Sequence, residues 1–176
     1  FDRTAWARYD IPMWIEQPDA TRLVPNIDMD TELVQSWDLA FKDTNTSDYV
    51  VGQVWLRRGP NAYLLDQVRG RFGFTETTHR MRELSARWPQ AIAKYVEDKA
   101  NGPAVIDALH GTLPGLIPVN PEGGKEARAH AIAPLVEAGN VHLPAAELAP
   151  WVGDLIEEAA AFPQGAHDDQ DDGHRQ

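Results

Sequence analysis

Three groups of carboxylates, far apart in the chain, are the residues best suited to chemistry. They are Asp38, the adjacent pair Glu97 and Asp98, and the aspartates of segment 167–172. Carboxylates brought within a few ångström of one another repel unless a cation lies between them. Ligand sets made only of oxygen favour Mg²⁺ or Mn²⁺ over zinc. If the fold gathers the three groups, the sequence predicts a divalent-metal site.

The residues around Asp38 predict a strand with one open face. Side chains alternate between the two faces of a strand, so Ser36, Asp38 and Ala40 share one face. Trp37 and Leu39 take the other face. The small neighbours leave room beside the carboxylate for a metal ion and a phosphate group.

The two later groups are less well determined by the residues alone. Glu97 and Asp98 cannot both point into the site from a regular strand, and we favour Asp98, with Glu97 as the alternative. A turn with an apolar anchor at residues 162–167 favours the return of Asp168 and Asp169 to the domain.

The elements that must position these residues are read from hydrophobic spacing and turn residues. The predicted helices begin near Thr75, Asn101, Gly124 and Ala145. The first three strands form an antiparallel meander, and strand–helix alternation follows, which predicts an α/β domain with a mixed central sheet. This order fits an RNase H-like layout, with the first strand central and the fourth beside it, so Asp38 and the pair at 97 and 98 lie at neighbouring strand ends. The predicted strands are Glu32–Ala40, Tyr49–Leu56, Ala62–Val68, Ala91–Val96, Leu116–Val119 and Val141–Leu143.

The composition predicts one soluble, intracellular domain. The chain has 176 residues, 43% of them hydrophobic, and no cysteine. Disulfides, thiolate zinc sites and cysteine nucleophiles are therefore excluded. No apolar run approaches the roughly 20 residues of a membrane span. A phosphate-binding P-loop and a Gly-x-Ser-x-Gly nucleophile are also absent from the sequence.

The charge distribution is uneven along the chain. The net charge of -11 argues against binding to nucleic acid, since phosphate contacts normally use Lys and Arg. Residues 57–87, however, contain seven arginines and three acidic residues. Two interpretations of this basic strip, which includes Arg69 and Arg71, stay open: it holds a DNA backbone without reading its sequence, or it is an ordinary solvated face.

Several short motifs, taken in order, resemble the C-terminal nuclease domain of the large terminase subunit of tailed bacteriophages and prophages. The resemblance covers residues 30–172, and the ordered set is far more specific than any single motif. The motifs are Ser36–Lys42, Ser47–Tyr49, Tyr63–Asp66, Val96–Gly102, Lys125–Ala129, Glu137–Val141, Phe162–Pro163 and His167–Gln170.

The resemblance implies an RNase H-like endonuclease that cuts concatemeric double-stranded viral DNA during genome packaging, with two Mg²⁺ or Mn²⁺ ions. Asp38 matches the family's ligand on the first strand, and Asp168 matches the leading aspartate of its terminal motif. Asp169 is a possible additional ligand. On the fourth strand the family shows both Glu and Asp patterns, so the choice between residues 97 and 98 stays open. Two further positions, Lys125 and Arg128, match basic residues that contact DNA or organise the site.

The resemblance also implies a domain layout and partners. Residues 1–30 are expected to be the remnant of an interdomain connection, residues 31–170 the nuclease domain and residues 171–176 a polar tail. The expected partners are an N-terminal ATPase domain absent from this chain, the portal and the small terminase subunit, in the cytoplasm of the bacterial host and without a membrane. Two alternatives are another RNase H-like nuclease, of resolvase or transposase type, and a non-catalytic interaction module of the packaging motor.

Overall fold

The computed structural model describes residues 1–39, 49–99, 102–120 and 125–161, with side chains from residue 131 onward in the last range. Within these residues the chain forms nine strands and four helices. The strands are β1 Ala7–Tyr9, β2 Ile15–Glu16, β3 Arg22–Leu23, β4 Thr31–Leu39, β5 Val50–Arg58, β6 Asn61–Gly70, β7 Lys94–Glu97, β8 Leu116–Val119 and β9 Val141–Pro144. The helices are α1 Phe74–Arg87, α2 Gly102–Leu109, α3 Lys125–Glu137 and α4 Val152–Ala161.

Seven of the strands form one mixed sheet in the order β1-β9-β6-β5-β4-β7-β8. β4, β5 and β6 are the antiparallel meander that the sequence predicts. β7 then pairs with β4 in parallel, and β8 pairs with β7 in parallel. The predicted mixed sheet is therefore confirmed, with the strand that carries Asp38 inside the sheet and the fourth predicted strand beside it.

The sequence of β4 explains why one face of the sheet is buried. Its side chains alternate as expected for a strand, and Gln35, Trp37 and Leu39 are buried. A Cβ atom added to Gly52 of β5 would lie 2.4 Å from the Trp37 ring. Glycine at this position therefore lets the indole lie flat on the neighbouring strand.

Helices cover both faces of the sheet. Met81 of α1 and Val105 of α2 belong to the same hydrophobic cluster as Trp37. Leu64 of β6 packs instead in a second cluster that includes residues of α4. Its neighbour Leu65 belongs to the first cluster, so the two clusters lie on opposite sides of β6.

The N-terminal segment contains elements that the sequence analysis does not predict. β1 pairs in parallel with β9 and forms one edge of the sheet, while β2 and β3 form a small separate hairpin. Val24, which follows the hairpin, is buried in the main core. Strands of two or three residues are too short to show periodicity in a sequence, which is why this segment gives no signal.

The last helix begins later than the sequence predicts. The predicted start is Ala145, but α4 starts at Val152, and residues 145–151 lie in turns and irregular backbone. The reason is Pro150, which has no backbone N–H and whose ring would clash with the carbonyl one turn earlier if it lay inside a helix. Residues 162–176, which contain the predicted terminal turn and tail, lie outside the described residues. In the described ranges, no helix has the length and apolar character needed to cross a membrane.

Candidate metal centre

Asp38 and Glu97 lie on neighbouring parallel strands and on the same face of the sheet. Trp37 of β4 pairs with Val96 of β7, and both side chains are buried on the face that packs against α1 and α2. The next residue on each strand, Asp38 and Glu97, therefore points to the opposite face. Their side chains are 25% and 17% exposed, respectively.

Lys99 connects the two carboxylates. Its Nζ atom lies 3.0 Å from Glu97 Oε2 and 3.9 Å from Asp38 Oδ1. The two acids thus converge on one cation, the lysine ammonium. This arrangement fits a hard divalent cation, which prefers carboxylate oxygens as ligands.

Asp98 has a different environment from its neighbour Glu97. Its side chain is exposed, and its backbone N–H donates a hydrogen bond to the Val119 carbonyl at 2.7 Å. It lines a cleft of about 400 Å³ whose other walls come mainly from α2, including Ile106 and Asp107, and from His110, which directly follows that helix. The structure therefore brings Glu97, and not Asp98, towards Asp38.

The third predicted group, Asp168 and Asp169, lies outside the described residues. In the part of the chain that the structure describes, no three Asp, Glu or His side chains come together as metal ligands. The helix that precedes this group, α4, packs on the face of the sheet that carries Asp38. Its Glu158 carboxylate lies 2.8 Å from Arg69 of β6, which shares that face by register: Asp38 pairs with Val51, and Val51 pairs with Arg69.

Arg69 and Arg71, both predicted to bind DNA, differ in accessibility. The Arg69 guanidinium lies 3.6 Å from the centre of the Tyr49 ring, and its side chain is 20% exposed. It therefore links β6 to Tyr49 and to α4. Arg71 lies further from the same ring, at 5.0 Å, and is exposed, so its charge faces solvent.

The rest of the basic strip is largely paired with acids. Arg87 Nη1 and Trp88 Nε1 each donate to Oδ2 of the buried Asp66 at 2.9 Å, and Arg80 pairs with Glu76. The positive charge that the basic strip presents to solvent is thus smaller than its number of arginines suggests. The other two predicted DNA-binding residues, Lys125 and Arg128, lie in the first part of α3, where side chains are not described.

Sequence reasoning gives no role to Lys99 or Tyr49. For Lys99 a signal is present, because residues two apart in an extended segment share a face. Lys99 would therefore point the same way as Glu97. For Tyr49 the pattern offers no comparable signal, since its contact with Arg69 joins residues that are distant in the sequence.

A mixed sheet with an antiparallel meander, a parallel fourth strand and two acids at adjacent strand ends defines an RNase H-like domain. The chain belongs to the family described as Terminase RNaseH-like domain, whose model matches residues 35–175. No curated protein sequence matches the chain significantly.

Solved structures similar to this chain include phage terminases. The large terminase nuclease from thermophilic phage G20c with bound zinc has a TM-score of 0.57 and 17% identity, covering 96% of this chain and 90% of that one. The nuclease domain of the large terminase from bacteriophage SPP1 with bound Mn has a TM-score of 0.54 and 12% identity, covering 85% and 77%. A large terminase from another thermophilic bacteriophage has a TM-score of 0.57 and 10% identity. That match covers 89% of this chain but only 35% of the other. At these identities the likeness shows the fold.

Proposed function

We propose that this chain is the nuclease domain of a large terminase and hydrolyses phosphodiester bonds of concatemeric double-stranded viral DNA during packaging. The observation that carries the proposal is that Asp38 and Glu97, at adjacent strand ends, both face the Lys99 ammonium. Family membership supports it, because it identifies the fold as a terminase RNase H-like domain.

In this proposal Asp38 and Glu97 are metal ligands, and Asp98 is not. Asp168 is the third ligand and Asp169 an additional one, as the resemblance of the terminal motif implies. The ions are Mg²⁺ or Mn²⁺, because the proposed ligands are all carboxylates. The SPP1 relative has Mn bound and the G20c relative has zinc bound.

A bound pair of such ions would activate a water molecule and stabilise the charge that develops on the leaving oxygen. The role of the protein residues is to hold the ions and the phosphate in place. Asp38 projects from β4, which has hydrogen-bonded strands on both sides, so its position is set by the rigid sheet. Ser36, on the same face, leaves space next to the carboxylate for the phosphate.

We assign DNA contact to Arg71, Lys125 and Arg128, with Arg69 as a support that fixes the local surface. Arg69 lies on β6, and Arg71, which directly follows that strand, is the more exposed of the two. Contacts of this kind go to phosphates and carry no sequence information. Since the chain carries a net charge of -11, the isolated domain should bind DNA weakly.

The wider assignments follow from the family alone. In a whole terminase this domain would be joined to an N-terminal ATPase domain, through the connection at residues 1–30, and would work with the portal and the small subunit. Residues 31–170 would form most of the nuclease, completed by β1 and Val24 of the N-terminal segment, and residues 171–176 would be a tail. The site of action would be the cytoplasm of the infected or lysogenic bacterium.

The experiment is a nicking assay on plasmid DNA in Mn²⁺ with three variants. Asp38→Asn and Glu97→Gln should each lose at least about 100-fold in rate, more than the 10–100-fold typical of residues behind a metal ligand. Asp98→Asn is the matched control, because it removes one carboxylate next to Glu97, and it should cut within a few-fold of the wild-type rate. A wild-type rate in Asp38→Asn would refute the proposal.

Substrate comparison separates the remaining alternatives. Linear duplex and plasmid should be cut, whereas a marked preference for four-way junctions would favour an enzyme of resolvase type. No cleavage at high protein concentration, together with no Mn²⁺ binding by calorimetry, would favour a non-catalytic interaction module.

A further inference from the structure

Lys99 occupies a distinct position in the candidate metal centre. It lies two residues after Glu97, and its ammonium is 3.0 Å from the Glu97 carboxylate and 3.9 Å from the Asp38 carboxylate. Its side chain is 38% exposed, so the ammonium can also reach solvent. Its positive charge therefore lies next to both acids.

This placement has an electrostatic consequence. Two carboxylates that face the same region repel each other, and an ammonium between them lowers that repulsion. The same oxygens are those that a divalent ion would need. A metal ion and an ammonium that approach the same two carboxylates repel each other, so one must withdraw when the other binds.

We infer that Lys99 is the counter-ion of the metal-free centre: it holds Asp38 and Glu97 together without metal and competes with the divalent cation for them. The inference rests on the proposed function, because it takes these two acids as metal ligands. A group that stabilises the metal-free state lowers the apparent affinity for metal by the same free energy. The long, flexible lysine stem allows the ammonium to move to solvent without backbone change.

The test is calorimetric titration with Mn²⁺ alone. Lys99→Gln should bind Mn²⁺ about three- to tenfold more tightly than the wild type, as expected for loss of a partly exposed competing charge. Lys99→Arg keeps the charge and should stay close to the wild-type affinity. Arg82→Gln removes one exposed positive charge from α1, on the opposite face of the sheet, and controls for the change in net charge.

Thermal unfolding provides a second readout. Without metal, Lys99→Gln should melt below the wild type, and saturating Mn²⁺ should close that gap. A residue with a merely structural role would leave the gap unchanged and would leave metal affinity equal or weaker. Equal or weaker Mn²⁺ binding in Lys99→Gln, or equal tightening in Lys99→Arg, would overturn the inference. If the wild type binds no Mn²⁺ at all, the proposed function fails as well.

Discussion

At the scale of single residues, the choice between Glu97 and Asp98 shows what a sequence can and cannot decide. Alternation along a strand states that only one of two adjacent acids faces a given side. It does not state which one, because that depends on the register between β4 and β7. The pairing of Trp37 with Val96 fixes the register and places Glu97 next to Asp38. The prediction from sequence that Asp98 faces the site is made without knowledge of this register.

Gly52 allows a residue-scale test of how the strand that bears Asp38 is held. Gly52→Ala would place a methyl group 2.4 Å from the Trp37 ring, so we expect a loss of about 1–3 kcal/mol in the free energy of unfolding from overpacking. Gly153→Ala is the control. Gly153 is an exposed glycine in α4 with no atom near its added Cβ, and its substitution should stabilise by about 0.5–1 kcal/mol. Urea denaturation measures both, and a neutral Gly52→Ala would contradict the packing described.

At the scale of elements, the long strands and helices are predictable and the short ones are not. β4, β5 and β6 each have nine or ten residues, which is enough for alternation and turn residues to show in the sequence. β1, β2 and β3 have two or three residues, and their pairing depends on partners far along the chain. The late start of α4 is readable in principle from Pro150, since proline is disfavoured inside a helix, although α3 accommodates Pro134 near its end.

The joint between β6 and β9 makes folding stability sensitive to pH. The His142 ring of β9 stacks on Tyr63 of β6 with a centroid distance of 4.3 Å, and burial lowers the pKa of His142 below its usual 6.5. The unfolded chain therefore binds a proton at a pH where the folded chain does not. Stability should fall as the pH decreases through about 6.5 and level off below the pKa of the folded state.

The measurement is urea unfolding at a series of pH values. In His142→Asn this contribution to the slope between pH 7 and the folded-state pKa should disappear. His79→Asn is the control, because His79 is an exposed histidine on α1, with a side chain 63% exposed. An unchanged slope in His142→Asn would show that other groups cause the pH dependence.

At the scale of the whole molecule, the proposed function requires an acidic chain to bind a polyanion. The net charge is -11, and several arginines of the basic strip already pair with acids. Binding should therefore be weak and depend on a few exposed cations near the metal centre. The composition predicts the mismatch between an acidic chain and an acidic ligand. The ion pairs of Arg69 with Glu158 and of Arg87 with Asp66 can be seen only in the structure, since each partner lies on another element.

Substitutions of Arg71 and of Arg82 can be compared to distinguish a local contact with DNA from a general effect of net charge on DNA binding. Arg71→Ala should weaken binding to duplex DNA about three- to tenfold at low salt and reduce its salt dependence, because one phosphate contact is lost. Arg82→Ala removes the same charge from α1, on the opposite face, and should have a much smaller effect. Fluorescence anisotropy at several salt concentrations measures both, and equal effects of the two variants would refute a DNA path across the Asp38 face.

The most direct test of the account is a crystal structure of the chain with Mn²⁺, located by its anomalous scattering. The account predicts a manganese peak in contact with the carboxylates of Asp38 and Glu97, with the Lys99 ammonium moved away from both. Manganese bound to Asp98 in place of Glu97, or no manganese at Asp38, would contradict it.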